Sequence, residues 1–272
     1  MTPFENGPEI PLEGGDVTEG LVRIGDTVRR PRGPHAAFVE ALLNYLERQG
    51  FSGAPRFLGV DDQGRQVLTH IDGEVAGRPW PHWLADEDRI RSVAQLVRRY
   101  DDVAHGYGIP SDAPTRSEIA GAPPSIAGEP TFVAHLDITP ENVVFVDGRA
   151  HALIDFDLAR PADRSLEVAN LLLWWAPLMP AEDREPAVRE VDAFRRAAVL
   201  VNAYDLDLAG RARLTAVSIN AAERSWFAMR DRAERLGGGW RRMWDEGVGD
   251  RIKRRHRWLL DNADAISAAV SG

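Results

Sequence analysis

Apolar positions recur along this chain with two periods, and the first appears mainly before residue 71. Val22-Arg23-Ile24 and Thr27-Val28-Arg29-Arg30 flank Gly25-Asp26, which predicts a strand, a turn and a strand. Gly59-Val60 and residues 65–69 flank Asp61-Asp62-Gln63-Gly64 and predict a second hairpin. Between the two, Pro31 and Pro34 break the strand. Phe38, Leu42, Tyr45 and Leu46 then fall at helical spacing ahead of Gly50, so a helix is expected over 36–48. Beyond residue 71 the helical period dominates. Ile90, Val93, Leu96, Val97 and Tyr100 form one stripe of a helix over 88–105. Residues 108–130 are rich in Pro, Gly, Ser and Ala and read as an irregular loop. Val143-Val144-Phe145-Val146, the turn Asp147-Gly148 and the return run 150–154 predict a tight β-hairpin. After Asp157, apolar periodicity between Pro and Gly breaks predicts helices at 166–175, 186–200, 209–236 and 251–269. The pattern is that of an α+β chain with a small β-rich part followed by a larger helical one.

The ends of the 143–154 hairpin carry the most informative polar residues. His135, Asp137 and Asn142 precede it, and Asp155 follows it. An antiparallel return places Asp155 beside Asn142, where the hairpin began. Carboxylate and amide oxygens gathered this way suit magnesium, which prefers hard oxygen ligands. A further carboxylate, Asp137, precedes Asn142 in the same loop. Asp and Asn four residues apart mean little alone, because both are common in turns. The full string includes His135, Pro140, a hairpin of suitable length and Asp155-Phe156 after Ile154, and it points to a site rather than a capped turn.

The string His-Leu-Asp-Ile-Thr-Pro-Glu-Asn at 135–142, followed by Ile-Asp-Phe-Asp at 154–157, resembles the aminoglycoside phosphotransferase and choline kinase-like family of small-molecule kinases. The spacing from Asp137 to Asn142 is that of the protein kinase catalytic loop. Pro140 and the absence of Arg after His135 fit the small-molecule group better. The resemblance implies a protein-kinase-like two-lobed fold, with an N-lobe over 1–71 and a C-lobe over 72–272. It implies ATP (or GTP) and Mg2+ as cofactors. Asp137 becomes the base, Asn142 and Asp155 the metal ligands, and His135 the organiser of the loop backbone. Glu167 stands where such proteins carry an acidic residue that braces the loop from a following helix; it reads equally as a first-turn helix carboxylate.

The N-terminal part fits that resemblance less closely. A kinase-like N-lobe covers the phosphates with a glycine-rich loop and touches them with a third-strand lysine. Gly14 and Gly15 are the candidates for the loop, but Lys253 is the only lysine in the chain. Arg29 is the first substitute and Arg30 the other, since arginine pairs with phosphate oxygens bidentately. Glu40 is the candidate to orient that base. Thr69, His70 and Ile71 would form the hinge facing the nucleotide base. For all of these, a plain surface hairpin and a solvated helix face are the competing readings.

Composition narrows the function. The chain has 272 residues, 44% of them hydrophobic, which is enough for a two-lobed core. It has no cysteine, which excludes disulfides, thiolate metal sites and cysteine nucleophiles. A net charge of −9 argues against a nucleic-acid surface. The apolar run at 171–179 is too short for a membrane span and contains Pro177. Residues 1–15 do not read as a signal peptide, so a cytoplasmic protein is expected. The expected partner is a small-molecule hydroxyl acceptor, and the acidic balance would suit a cationic one. Trp226, Phe227, Trp240, Trp244 and Trp258 could line its pocket, though a helical core with interfacial tryptophans is the commoner arrangement. Asp205, Asp207, Asp245, Glu246 and Asp250 could face an amine, or simply a solvated surface. Two rival readings are a nucleotide-binding pseudokinase or immunity-type protein with little turnover, and a metal-dependent hydrolase using the same carboxylates.

Overall fold

The computed structural model describes residues 7–12, 20–114 and 119–272. The first part is a five-stranded antiparallel sheet with one helix against it. Its strands are β1 (Ile10–Pro11), β2 (Val22–Ile24) and β3 (Thr27–Arg30), followed by helix α1 (Ala36–Arg48), β4 (Phe57–Val60) and β5 (Gln66–Thr69). The spatial order is β1-β2-β3-β5-β4. Helix α1 buries Phe38, Val39, Leu42, Leu43 and Leu46, the stripe that its 3.6-residue period places on one side.

The second part is mainly helical. Helix α2 (Glu87–Tyr107) starts at Asp86, whose carboxylate accepts from the Asp88 and Arg89 N–H groups. Two short antiparallel pairs follow. In one, β6 (Phe132–Ala134) pairs with β9 (Arg160–Ala162). In the other, β7 (Val143–Val146) pairs with β8 (Arg149–Leu153). Helices α3 (Arg164–Trp175), α4 (Ala193–Tyr204), α5 (Leu208–Arg235), α6 (Gly238–Asp245), α7 (Val248–Asp261) and α8 (Ala263–Ser271) complete the chain. The core runs through α2, the hairpins and α3, with Ile90, Val93, Leu96, Val97, Tyr100, Phe132, Val133, Leu153 and Leu171 all fully buried. Among the described residues no helix is long and apolar enough to cross a membrane.

Four details differ from the periodicity. The helix expected over 186–200 begins only at Ala193, because Asp192 caps it by accepting from the Phe194 and Arg195 N–H groups; Pro186–Val188 is a single 3-10 turn. The helix expected over 251–269 breaks at Asn262. Its side-chain amide donates to the Trp258 carbonyl at 2.8 Å, and such local bonds compete with helix continuation. Helix α6 begins inside the Gly237-Gly238-Gly239 run, whose low helix propensity hides it. Strands β6 and β9 have three residues each, too few to show a period.

What positions the site is the β7–β8 hairpin. Asp147 and Gly148 both have positive φ, 49° and 74°, as a two-residue primed turn requires. Glu74 and Phe145 exchange both backbone bonds at 2.8 Å, which ties the segment after β5 to the hairpin. Gly73 permits this crossing, because a Cβ there would lie 2.5 Å from Val144 Cγ1 and 2.6 Å from the Phe145 oxygen.

Candidate active site

The loop between β6 and β7 contains His135, Asp137 and Asn142, and it is held from beneath by α3. Glu167, fully buried, accepts from the backbone N–H of His135 at 2.8 Å and of Leu136 at 2.9 Å. That bidentate grip holds Leu136 in the left-handed region, at φ 57°. Asn170 Oδ1 accepts from the Ile138 N–H at 2.9 Å, and the Trp175 indole N–H donates to the Ile138 oxygen at 2.8 Å. One helix thus fixes four peptide groups of the loop, two on either side of Asp137. Burial raises the Glu167 carboxyl to about 7, against the pull of its two N–H donors.

His135 lies at the centre of this arrangement with no exposed surface. Its Nδ1 accepts from the Asp137 N–H at 3.3 Å, and its Nε2 lies 3.1 Å from the Ile154 oxygen. Those partners assign a neutral ring with the proton on Nε2. Burial lowers its pKa to about 4, consistent with that form. The ring packs edge-on against Phe156 with centroids 4.5 Å apart. His135 therefore joins the loop to the strand that delivers Asp155.

The hairpin closes the cluster. The Ile154 N–H donates to the Asn142 oxygen at 2.9 Å, one step beyond the last β7–β8 pair, Val143 with Leu153. Asn142 Nδ2 donates to the Asp137 carbonyl and to Asp137 Oδ2, both at 3.0 Å. Asp155 follows in a left-handed conformation, φ 61° and ψ 75°. Burial, and next the negative charge of Asp155, raise the Asp137 carboxyl to about 7. Asp137, Asn142 and Asp155 thus form one cluster of oxygens with excess negative charge. Among the described residues no three His, Cys, Asp or Glu side chains form a closed metal cage. One carboxylate and one amide oxygen, completed by substrate phosphates and water, is the donor set magnesium commonly uses.

Arg30 reaches this cluster from β3. Its Nη1 lies 3.2 Å from Asp155 Oδ1, and its Nη2 donates to Asp157. Arg29, the first choice from sequence, is corrected by strand alternation. Successive side chains leave a strand on opposite faces, and Arg29 turns the other way, buried against Asp61 at 3.7 Å and bonded to the Thr27 hydroxyl. The expected role of Glu40 is corrected too. Arg32 takes both its oxygens at 2.9 Å, and Gln66 donates to it at 3.3 Å. It therefore orients neither Arg29 nor Arg30. Of the hinge residues, Thr69 ends β5 bonded to Arg56, and the His70 N–H is taken by the Asp26 carbonyl at 2.8 Å. Ile71 follows, half-buried. Gly14 and Gly15 lie outside the described residues.

Sequence reasoning missed Arg232. It lies on α5, half-buried, with its guanidinium 4.5 Å from the Trp240 ring centroid. Its positive charge is felt at Asp137, and the negative charge of Asp137 is felt at Arg232. No local pattern links the two, because Arg232 is 95 residues from Asp137. Its signal was only its place on the helix before the glycine run. The other aromatics pack among themselves: Trp226 with Phe227 and Trp244, and Trp258 with Phe194. Asp245 pairs with Arg241, Asp207 caps α5, and Asp205 lies 3.8 Å from Arg98.

Residues 115–206 match the family model described as the phosphotransferase enzyme family. The trifolitoxin immunity protein of Rhizobium leguminosarum bv. trifolii is 31% identical over 165 residues. That match covers 60% of this chain and 60% of the relative, so it spans about three fifths of the relative's length. A choline/ethanolamine kinase family protein from Mesorhizobium loti superposes with a TM-score of 0.62 at 15% identity, over 97% of this chain and 92% of its own. The ADP-bound aminoglycoside phosphotransferase APH(2'')-Ib gives 0.55 at 13% identity, over 97% and 95%. The chain therefore has the two-lobed, protein-kinase-like fold of the choline kinases and aminoglycoside phosphotransferases, and its residues 115–206 match the phosphotransferase enzyme family.

Proposed function

We propose that the protein is a small-molecule kinase, moving the γ-phosphoryl group of ATP to a hydroxyl of a small acceptor. The observation that carries this reading is the meeting of Asp137, Asn142 and Asp155 across the feet of one hairpin, with Arg30 opposite. The nucleotide would lie between an N-lobe over 1–71 and a C-lobe over 72–272. Arg30 would hold phosphate oxygens in place of the usual lysine. Asn142 and Asp155 would hold magnesium, which when bound neutralises charge on the phosphates. Asp137 would orient the acceptor hydroxyl and take its proton. Its raised pKa makes it a stronger base than a free aspartate.

The test uses γ-labelled ATP, magnesium and a panel of hydroxyl acceptors. The wild type should transfer label, and Asp137→Asn should lower the rate by roughly 10²–10⁴-fold with an unchanged circular dichroism spectrum. An unaffected rate in Asp137→Asn overturns the assignment. The likeness to the trifolitoxin immunity protein supports a second reading, an immunity protein of this fold. Binding of magnesium-ATP without turnover across the panel would favour it.

A further inference from the structure

The helical wall on the acceptor side of Asp137 is cationic, although the chain as a whole is acidic. Residues 230–258 contain ten Arg and Lys against five Asp and Glu, in a chain of net charge −9. Three of the cations form surface ion pairs that the structure shows. Asp231 is taken by Arg235 at 2.8 Å, Asp245 by Arg241 at 2.9 Å, and Asp183 by Arg254. Two of the remaining half-buried arginines bear on the site. Arg232 is oriented by stacking on Trp240 and forms no ion pair within 4.0 Å among the described residues. It feels the charge of Asp137 without touching it, which leaves a gap between base and cation. Arg255, on α7, donates to the Ser225 hydroxyl at 2.8 Å and likewise has no carboxylate within 4.0 Å. Burial alone lowers it, to about 10. Ser225 and Arg232 are seven residues apart on α5, so they lie on one stripe, about 10 Å apart along the axis. The two half-buried guanidiniums therefore stand along the same side of α5.

We propose that the acceptor is an anionic hydroxyl compound whose carboxylate or phosphate group is held by Arg232 above Trp240, with Arg255 serving a second acidic group in longer acceptors. This rests on the phosphotransferase reading and names its substrate class. A guanidinium matches such groups bidentately, and among the described residues Arg232 has no ion pair to compete for that pairing. Of the acidic residues nominated for a cationic acceptor, Asp245 and Asp207 are already engaged. In the reaction the acceptor oxygen bonds to the γ-phosphorus as the bond from that phosphorus to the ADP oxygen breaks. The hydroxyl proton passes to Asp137, and ADP leaves with the bonding electrons.

Calorimetric titration tests it in two stages. The protein is first saturated with magnesium and a non-hydrolysable ATP analogue. It is then titrated with two matched trios: N-acetylserine, its amide and ethanolamine; and glucose 6-phosphate, glucose and glucosamine. In at least one trio the anionic member should bind about tenfold or more tighter than the others, the worth of one charged hydrogen-bonded pair. Arg232→Gln should abolish that preference and Arg232→Lys retain part of it. Equal or tighter binding of the neutral or amine members in both trios overturns the proposal. So does failure of every acid to bind once the nucleotide analogue has bound, or a preference unchanged in Arg232→Gln. If Arg232→Gln does not fold, the wild-type comparison and Arg232→Lys decide. Failure of the nucleotide analogue itself to bind in the first stage strikes the phosphotransferase reading instead.

Discussion

Trp175→Phe isolates the brace beneath the candidate base. Trp175 and Asn170 grip the two peptide groups of Ile138, the residue after Asp137. Phenylalanine keeps an aromatic ring facing Phe145, whose centroid lies 6.0 Å away. It also keeps the backbone carbonyl that accepts from Arg196 Nε at 2.8 Å. What it loses is the indole N–H, leaving the carbonyl of a fully buried residue without its donor. A buried acceptor left unpaired costs roughly 1–3 kcal/mol. The smaller ring adds a cavity cost of about 1 kcal/mol, a fraction of what full truncation of a buried Trp costs. The total, about 2–4 kcal/mol, corresponds to a fall in melting temperature of roughly 5–15 °C for a chain of this size. Scanning calorimetry measures the fall, and urea unfolding gives the free energy. Because Asp137 is one peptide away, kcat should fall as well, since small misplacements of reacting groups are costly. A variant melting within about 2 °C of wild type would refute the reasoning. So would a double-mutant cycle with Asn170→Ala in which the two effects add within about 0.5 kcal/mol, because groups that hold the same residue should couple.

The buried neutral His135 predicts a pH effect of known sign. Its pKa is about 4 in the fold against an ordinary 6.5, so the unfolded chain takes up a proton first as pH falls. Its contribution is complete above pH 6.5 and is lost as pH drops towards 4, about 3 kcal/mol in all. Urea unfolding should show the advantage of wild type over His135→Asn shrinking by about that amount between pH 7 and 4; a constant difference contradicts the assigned state. Arg29 and Arg30 should separate cleanly. Arg30→Ala should raise the KM for ATP by about tenfold or more, the worth of one charged contact. Arg29→Ala should instead lower the melting temperature, because it strips a buried ion from Asp61, and leave KM nearly unchanged. The opposite pattern in steady-state kinetics and melting would assign the phosphate contact to Arg29.

The hairpin was legible in the sequence because its signal is local. Asp147-Gly148 between two apolar runs specifies a turn, and the turn specifies that Asp155 returns to Asn142. The α1 and α2 stripes were equally legible, since burial of one face imposes a period. What the sequence hid are the contacts without a local pattern. Asn170 and Trp175 act on Ile138 from 32 and 37 residues away, and their spacing from Glu167 looks like any apolar helix. Arg232 reaches the neighbourhood of Asp137 through the packing of α5, which no window of sequence shows. The strand parity of Arg29 and Arg30 was legible, but deciding which one faces the cleft required knowing which face α1 covers.

That parity explains how a chain with a single, distant lysine can build this site. In a kinase-like N-lobe the third-strand cation is usually oriented from within its own lobe. Here Glu40 is already held at both oxygens by Arg32, so it has no free oxygen to orient another cation. Arg30 is instead oriented across the cleft, by Asp155 and Asp157 on the segment that follows β8. A lysine ammonium is a point charge, whereas a guanidinium offers a planar fork that engages two carboxylates at once. Arginine at position 30 is therefore suited to a cation that must answer to the C-lobe, and Arg32 to satisfying the glutamate left behind. The two arginines are complementary: Arg30 takes its orientation from Asp155 and Asp157, while Arg32 neutralises Glu40 within the sheet's own part of the fold.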